Sequence, residues 1–82
     1  MNTPTRATEE DFAALRKRLN ALPYRPTDAW RMANAFIRDG ALYAMWNQPT
    51  QQVNEMYEAA CRALAAAERE EAEREAAKTK PV

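Results

Sequence analysis

The stretch from Trp30 to Trp46, WRMANAFIRDGALYAMW, constrains the fold of this chain more than any other part of the sequence. It holds both tryptophans, one of the three tyrosines, one of the two phenylalanines and two of the four methionines. One large aromatic side chain buries roughly 150–250 Å² when it packs. In a protein of 82 residues this stretch is therefore the main source of burial energy, and the remaining segments have to pack around it.

On a helical wheel of about 100° per residue, most of this stretch falls on one broad apolar face. That face carries Trp30, Met32, Ala33, Phe36, Ile37, Gly40, Tyr43 and Ala44. The opposite face is polar in its first half and apolar in its second half. Its polar residues are Arg31, Asn34 and Arg38, and its apolar residues are Leu42, Met45 and Trp46. The sequence therefore predicts a helix that begins amphipathic and ends apolar on nearly every side.

A shorter helix is predicted before this stretch. Thr8 is its expected N-cap, because the acidic residues 9–11 follow it in the first turn, where the helix dipole favours negative charge. The apolar stripe of this helix is Phe12, Leu15, Leu19 and Leu22. Pro23 and Pro26 end it, since a proline lacks the amide donor and disfavours helical geometry in the preceding residue.

A third, longer helix is predicted after Pro49, with Thr50 as its cap. Its apolar stripe is Val53, Met56, Tyr57, Ala60, Leu64 and Ala67. Glu71 and Arg74 occupy the next positions on that stripe, so we expect the stripe to end at Ala67. The charged run that follows can form exposed pairs at four-residue spacing, such as Glu70 with Arg74. At 1.5 Å per residue this helix is roughly 40 Å long, so its end is expected to project from the other helices.

The expected fold is all-α, a compact three-helix bundle with a long C-terminal helix. The predicted helices span about 9–21, 28–47 and 51–77. Residues 1–7 are predicted to form a flexible N-terminal arm, residues 8–67 the helical domain, and residues 68–82 a charged helical extension with a frayed tail.

Gly40 leaves two interpretations of the middle helix open. A glycine inside a helix costs roughly 0.5–1 kcal/mol relative to alanine, so the helix can break after Asp39 into two short pieces. Gly40 also falls on the core face, where a residue without a side chain lets another helix approach closely. We favour a continuous or slightly kinked helix over 28–47 for that reason.

Composition argues against several classes of function. Twelve basic and twelve acidic side chains give a net charge of zero, whereas a general nucleic-acid binder needs clustered Lys and Arg. With no histidine and one cysteine, the chain lacks the usual metal ligands and an activated nucleophile, so we expect no catalytic residue, cofactor or metal. Cys61 is expected to be a packed thiol in a reducing, cytoplasmic setting. No signal peptide and no apolar run of membrane-spanning length are recognised.

Leu42, Met45 and Trp46 are apolar residues on the side of the middle helix that lies opposite its core face. Another helix of the same chain can cover them, or they can form an intermolecular surface. We favour the surface, because Trp and Met are enriched at protein interfaces and a bare apolar cluster is unusual. Either a second copy or a foreign protein can be the partner. Arg31 and Arg38, together with the acidic tail, are predicted to orient the partner, and Tyr57 or Tyr24 is predicted to lie at the edge of the interface.

Two other functions have weaker support in the sequence. A small dimeric DNA-binding regulator is the main alternative, since three short helices with Arg31 and Arg38 can be drawn as a helix-turn-helix. Neutral net charge and the acidic content of the tail favour an ordinary solvated face for these arginines instead. A helix lying on a membrane surface usually has a Lys-rich polar face, whereas residues 30–46 carry two arginines offset by Asp28 and Asp39.

A short helical chain that is rich in Ala, Arg and Glu and has no site chemistry resembles the small accessory proteins of temperate phages that bind and block a host protein. Anti-CRISPR proteins and inhibitors of host regulators or motor ATPases are of this type. The resemblance implies a non-enzymatic inhibitor or adaptor that occludes a surface of a larger host protein.

Overall fold

A computed structural model describes residues 5–79 of the chain. Within this range the chain forms three helices, α1 (Glu9–Asn20), α2 (Asp28–Met45) and α3 (Thr50–Thr79). The fold is an all-α three-helix bundle, as the sequence predicts. Its extents of 55 × 26 × 18 Å reflect the length of α3, whose last described turns extend past the other helices.

Helix α1 begins with a complete capping box. The Thr8 side chain accepts a hydrogen bond from the Asp11 amide at 3.2 Å, and the Asp11 carboxylate accepts one from the Thr8 amide at 2.8 Å. These two bonds satisfy amides that the first turn leaves without a helical partner. The cap sets the register in which Phe12, Leu15 and Leu19 all turn inward and become buried.

Helix α2 runs without a break through Gly40, so the continuous interpretation is confirmed. Gly40 is buried, and a Cβ atom built on it lies within 2.9 Å of three carbons of the Phe12 ring. Such distances are far inside van der Waals contact. The Phe12 ring of α1 therefore packs directly against the α2 backbone at Gly40.

The end of α2 depends on Asn47, which has a φ of 60°. This left-handed conformation reverses the chain and lets the Gln48 amide donate to the Tyr43 carbonyl at 3.2 Å. The pattern is that of a Schellman motif, which pairs carbonyl groups that the last helical turn leaves open. The helix ends two residues earlier than predicted, and Trp46 becomes its C-cap.

Helix α3 begins at Thr50 itself, and its apolar stripe forms one wall of the core. Val53, Ala60, Leu64 and Ala67 are buried, whereas Met56 and Tyr57 are half-buried and pack against the same cluster. The Trp30 ring of α2 also packs there, with Tyr24 edge-on to it at 4.9 Å.

The stripe of α3 does not end at Ala67 but continues to Glu71, which is buried. The Arg25 guanidinium, in the segment between α1 and α2, donates to the Glu71 carboxylate at 2.8 Å, and Arg74 adds a longer contact at 3.4 Å. The helical extension is therefore anchored through its first turn to the 21–27 segment. Arg74 pairs with Glu71 rather than with Glu70, contrary to the four-residue spacing expected from the sequence.

The Arg25–Glu71 pair makes the stability of the fold depend on pH. The hydrogen bond from Arg25 lowers the pKa of the Glu71 carboxyl below its ordinary value of 4.5. A pKa that is lower in the folded state means that the unfolded chain binds the proton more readily. The contribution of Glu71 is therefore present above pH 4.5 and is lost as the pH falls below that value toward the folded-state pKa.

We expect Glu71→Gln to lower the free energy of unfolding at neutral pH. We also expect the free energy of unfolding to decrease less steeply in this variant than in the wild type as the pH is lowered. Urea denaturation at a series of pH values measures both effects. Glu73→Gln is the matched control, because Glu73 is exposed and has no ion pair among residues 5–79. Equal acid slopes for the wild type and Glu71→Gln would contradict this prediction.

Candidate interaction surface

The C-terminal end of α2 carries an exposed apolar patch. Met45 is 53% exposed and Trp46 is 58% exposed, whereas Leu42 is half-buried and lies outside the cluster of buried residues. The Trp46 amide donates to the Leu42 carbonyl at 2.8 Å, so the two residues are one helical turn apart. Leu42, Met45 and Trp46 are called the α2 end patch below. Neither α1 nor α3 covers its two largest side chains.

Arg31 and Arg38 are both exposed and lie along α2 in line with Met45. Each is seven positions from the next, which places the three side chains on nearly the same side at intervals of roughly 10 Å. Arg38 makes only an exposed contact with its neighbour Asp39, at 3.2 Å. The Arg31 side chain has no hydrogen bond or ion pair among residues 5–79. Both guanidinium groups are therefore free to meet a partner at little cost, because an exposed ion pair contributes little.

The turn that carries Trp46 is held by Arg6. Its guanidinium donates to the Ala44 carbonyl at 3.2 Å, to the Tyr43 carbonyl at 3.3 Å and also to the Gln48 carbonyl. A cation at this position meets the negative end of the helix dipole and pairs with carbonyls that the helix leaves open. Arg6 thus fixes the geometry of the α2 end patch from a segment more than 35 residues earlier in the chain.

Arg6 is itself positioned by Asn54 of α3. The Asn54 side-chain amide donates to the Thr5 carbonyl at 3.0 Å, and its oxygen accepts from the Ala7 amide at 2.8 Å. Ala7 is buried. Of the predicted N-terminal arm over residues 1–7, the described part is therefore hydrogen-bonded and packed, and residues 1–4 lie outside the described range.

We expect Arg6→Ala to lower the free energy of unfolding by about 1 kcal/mol, because it removes a cation that bonds to carbonyls at a helix C-terminus. Thermal and urea denaturation of the full chain measure this loss. Arg31→Ala is the matched control and should stay within about 0.5 kcal/mol of the wild type, since Arg31 makes no such bond. Equal stability of the two variants would show that the Arg6 contacts do not stabilise the turn.

Tyr57 is placed away from the α2 end patch. Its ring packs edge-on against Phe12 of α1 at 5.5 Å, and it contacts the buried core. A hydrogen bond to Cys61, one turn along α3, raises the pKa of the Tyr57 phenol, and partial burial adds to the effect. The structure thus gives Tyr57 contacts with α1 and with its own helix, and its predicted role at the interface stays a prediction.

Two further apolar residues are exposed, and the exposure of one of them, Met32, is not expected from the sequence. Met32 is 51% exposed, although the helical wheel assigns it to the core face of α2. It lies 100° from Ala33, the centre of the buried line, so its position at the margin of that face was a usable signal. Tyr24 is 71% exposed and packs one edge on Trp30.

Nothing in the local sequence pointed to the role of Arg6, because its partners are about 40 residues away.

Residues 5–79 contain no group of three or more His, Cys, Asp or Glu side chains that could hold a metal ion. Cys61 is a free, half-buried thiol that packs against the core. Among the described helices, none has the combination of length and apolar content that crossing a membrane requires.

Comparison with known proteins does not assign the chain to a family. No protein-family model matches it. Searches of curated proteins and of solved structures likewise find no significant match.

Proposed function

We propose that this chain is a non-enzymatic protein–protein interaction module that inhibits or adapts a larger host protein by covering part of its surface. The mechanism is steric. The α2 end patch inserts into an apolar depression of the partner, and the arginines beside it select the orientation. The proposed setting is the reducing cytoplasm, where a free Cys61 is stable.

The observation that carries this proposal is the exposure of Met45 and Trp46, which are 53% and 58% accessible at the C-terminal end of α2. A half-exposed tryptophan gains only part of the free energy that its full burial would give. Tryptophan is also among the residue types most enriched at the interface positions that contribute most to binding. One of the two tryptophans of the chain lies on this surface. A binding role accounts for its exposure.

The rigidity of the patch supports the same function. Arg6 and the left-handed Asn47 fix the turn on either side of Trp46. A side chain held in place before binding loses less conformational freedom when a partner covers it. The Arg31 and Arg38 guanidinium groups lie on the same side of α2, so an acidic rim on the partner would orient the complex and speed its formation.

Affinity capture from the native host with the full chain as bait tests the proposal. The wild type is compared with a Met45→Ala, Trp46→Ala double variant, and bound proteins are identified by mass spectrometry. We expect the wild type to retain a host protein in near-stoichiometric amount and the double variant to lose it. Purified partner and titration calorimetry then give the ratio of the two dissociation constants.

Tyr24→Ala is the matched control, because it removes another exposed aromatic side chain at a different place on the surface. Circular dichroism verifies that all variants remain helical. A partner that is retained equally by the double variant and by the wild type would remove the α2 end patch from the proposed interface. Tight binding to random duplex DNA at low salt, where nonspecific affinity is strongest, would favour the DNA-binding regulator instead.

A further inference from the structure

Helices α2 and α3 leave an apolar groove open on one side. The groove has a volume of about 400 Å³, and no residue of α1 lines it. Its walls are Met32 and Phe36 of α2 and Ala59, Ala63 and Ala66 of α3, with Arg62 at the margin. Because Met32 is 51% exposed and the α3 wall consists of alanines, another helix can approach this groove closely.

The edge of α3 that borders this groove carries unpaired charges in a particular order. Glu55 and Glu58 come first along the helix, and Arg62 and Arg69 follow. All four are exposed and fall within about 60° of one another on the helical wheel. The side chains of Glu58, Arg62 and Arg69 have no ion pair or hydrogen bond among residues 5–79, and the Glu55 carboxylate accepts only a 3.3 Å bond from Gln51. Between residues 55 and 69 the edge is therefore negative in its first half and positive in its second half.

We propose that this face binds a second copy of the chain, with the two α3 helices antiparallel across a two-fold axis beside Ala59 and Ala63. In that arrangement Ala59 of each copy lies against Ala63 of the other, so the two backbones meet where the side chains are smallest. Glu58 then lies within two residues, about 3 Å of helical rise, of Arg62 in the other copy. Glu55 has the same offset from Arg69.

Charge complementarity is the reason for choosing a second copy over a foreign protein. An edge that is negative in one half and positive in the other matches itself when it is reversed, which is what a two-fold interface requires. The net charge of zero means that two copies do not repel each other at long range. A chain of 82 residues also buries a smaller fraction of its surface than a larger domain does, so pairing adds burial that one copy lacks.

This interface is separate from the α2 end patch. Met32 and Trp46 are 14 positions apart, or about 20 Å along α2. A dimer formed through the groove therefore leaves both copies of the patch accessible, and the inference does not depend on the proposed function.

Charge reversal tests the antiparallel pairing with full-length chains. One variant carries Glu55→Arg and Glu58→Arg, which makes the edge wholly positive; the other carries Arg62→Glu and Arg69→Glu, which makes it wholly negative. Sedimentation equilibrium over a concentration series is expected to show a wild-type dimer and a dissociation constant raised roughly tenfold or more in each variant alone. An equimolar mixture of the two variants should regain dimers, because every cross-copy contact then joins opposite charges.

Three outcomes would overturn the inference. One is a wild type that stays monomeric throughout the concentration series. Another is a mixture of the two charge variants that associates no better than either alone. The third is a dimer that survives both charge reversals and is lost in a Met45→Glu, Trp46→Glu variant, since self-association would then use the α2 end patch. Circular dichroism confirms folding in each case, and both replacement types are good helix formers.

Discussion

Phe12→Ala is expected to lower the free energy of unfolding by about 3–5 kcal/mol. The Phe12 ring is 0% exposed, and it joins α1 to the other two helices by lying on the α2 backbone at Gly40 and edge-on to Tyr57 of α3 at 5.5 Å. Truncation removes the apolar surface of the ring and leaves a cavity that the short α1 helix can close only in part. The loss is therefore near the upper end of the range for core substitutions.

The size of this effect matters because the whole domain is small. At 0.05–0.15 kcal/mol per residue, a domain of this length has a total stability of only about 4–12 kcal/mol. Phe12→Ala is thus expected to leave a large unfolded fraction at 37 °C or to abolish folding. Urea denaturation followed by circular dichroism measures the change. Met45→Ala, which truncates an exposed side chain, should stay within about 0.5 kcal/mol of the wild type.

A loss of less than about 1 kcal/mol in Phe12→Ala would contradict the central position of this ring. The Tyr57 phenol gives an independent readout, because its ring packs on Phe12. Near-ultraviolet circular dichroism should show altered tyrosine signals in any fraction of the variant that remains folded.

Gly40→Ala is expected to destabilise the protein by about 1–2 kcal/mol, although alanine is the better helix former. In an exposed helix the same substitution gains roughly 0.5–1 kcal/mol. Here the added Cβ lies within 2.9 Å of three carbons of the Phe12 ring. The ring is fully buried and cannot swing into solvent, so the overlap has to be relieved by moving α1 relative to α2. Overpacking of this kind outweighs the gain in helix propensity.

The partner residue supplies the test of that explanation. In a Phe12→Leu background the side chain opposite Gly40 is smaller, and Gly40→Ala should then be neutral or stabilising. The double-mutant cycle over Phe12 and Gly40 is therefore expected to show a coupling free energy of roughly 0.5–3 kcal/mol. If Gly40→Ala alone raised the unfolding midpoint of the otherwise wild-type protein, the Phe12 ring would be able to move away from α2 without a loss of stability.

The contact between Phe12 and Gly40 also bears on the candidate site. It sets how closely α1 approaches α2, and the N-terminal end of α1 carries the segment from which Arg6 reaches the C-terminal turn of α2. A shift of α1 that relieves an overlap at Gly40 would therefore disturb the Arg6 contacts that hold the turn bearing Trp46. Stability and binding are expected to fall together in Gly40→Ala, whereas Met45→Ala should affect binding alone.

Local sequence determined the secondary structure of this protein. The spacing of Phe12, Leu15 and Leu19 and the caps at Thr8 and Thr27 depend on groups within a few residues of each other. Hydrophobic periodicity and capping are short-range effects, so they can be read without knowing the fold. The same patterns gave three helices and their ends to within two residues.

Only the tertiary structure decided which surfaces are covered. Met32 and Ala33 are neighbours in the sequence, yet Ala33 is fully buried and Met32 faces the open groove, because α1 and α3 occupy particular sides of α2. The burial of Glu71 required Arg25, which lies 46 residues away, and the turn at Trp46 required Arg6. Contacts across such separations depend on how helices are arranged in space, and a helical wheel describes one helix at a time.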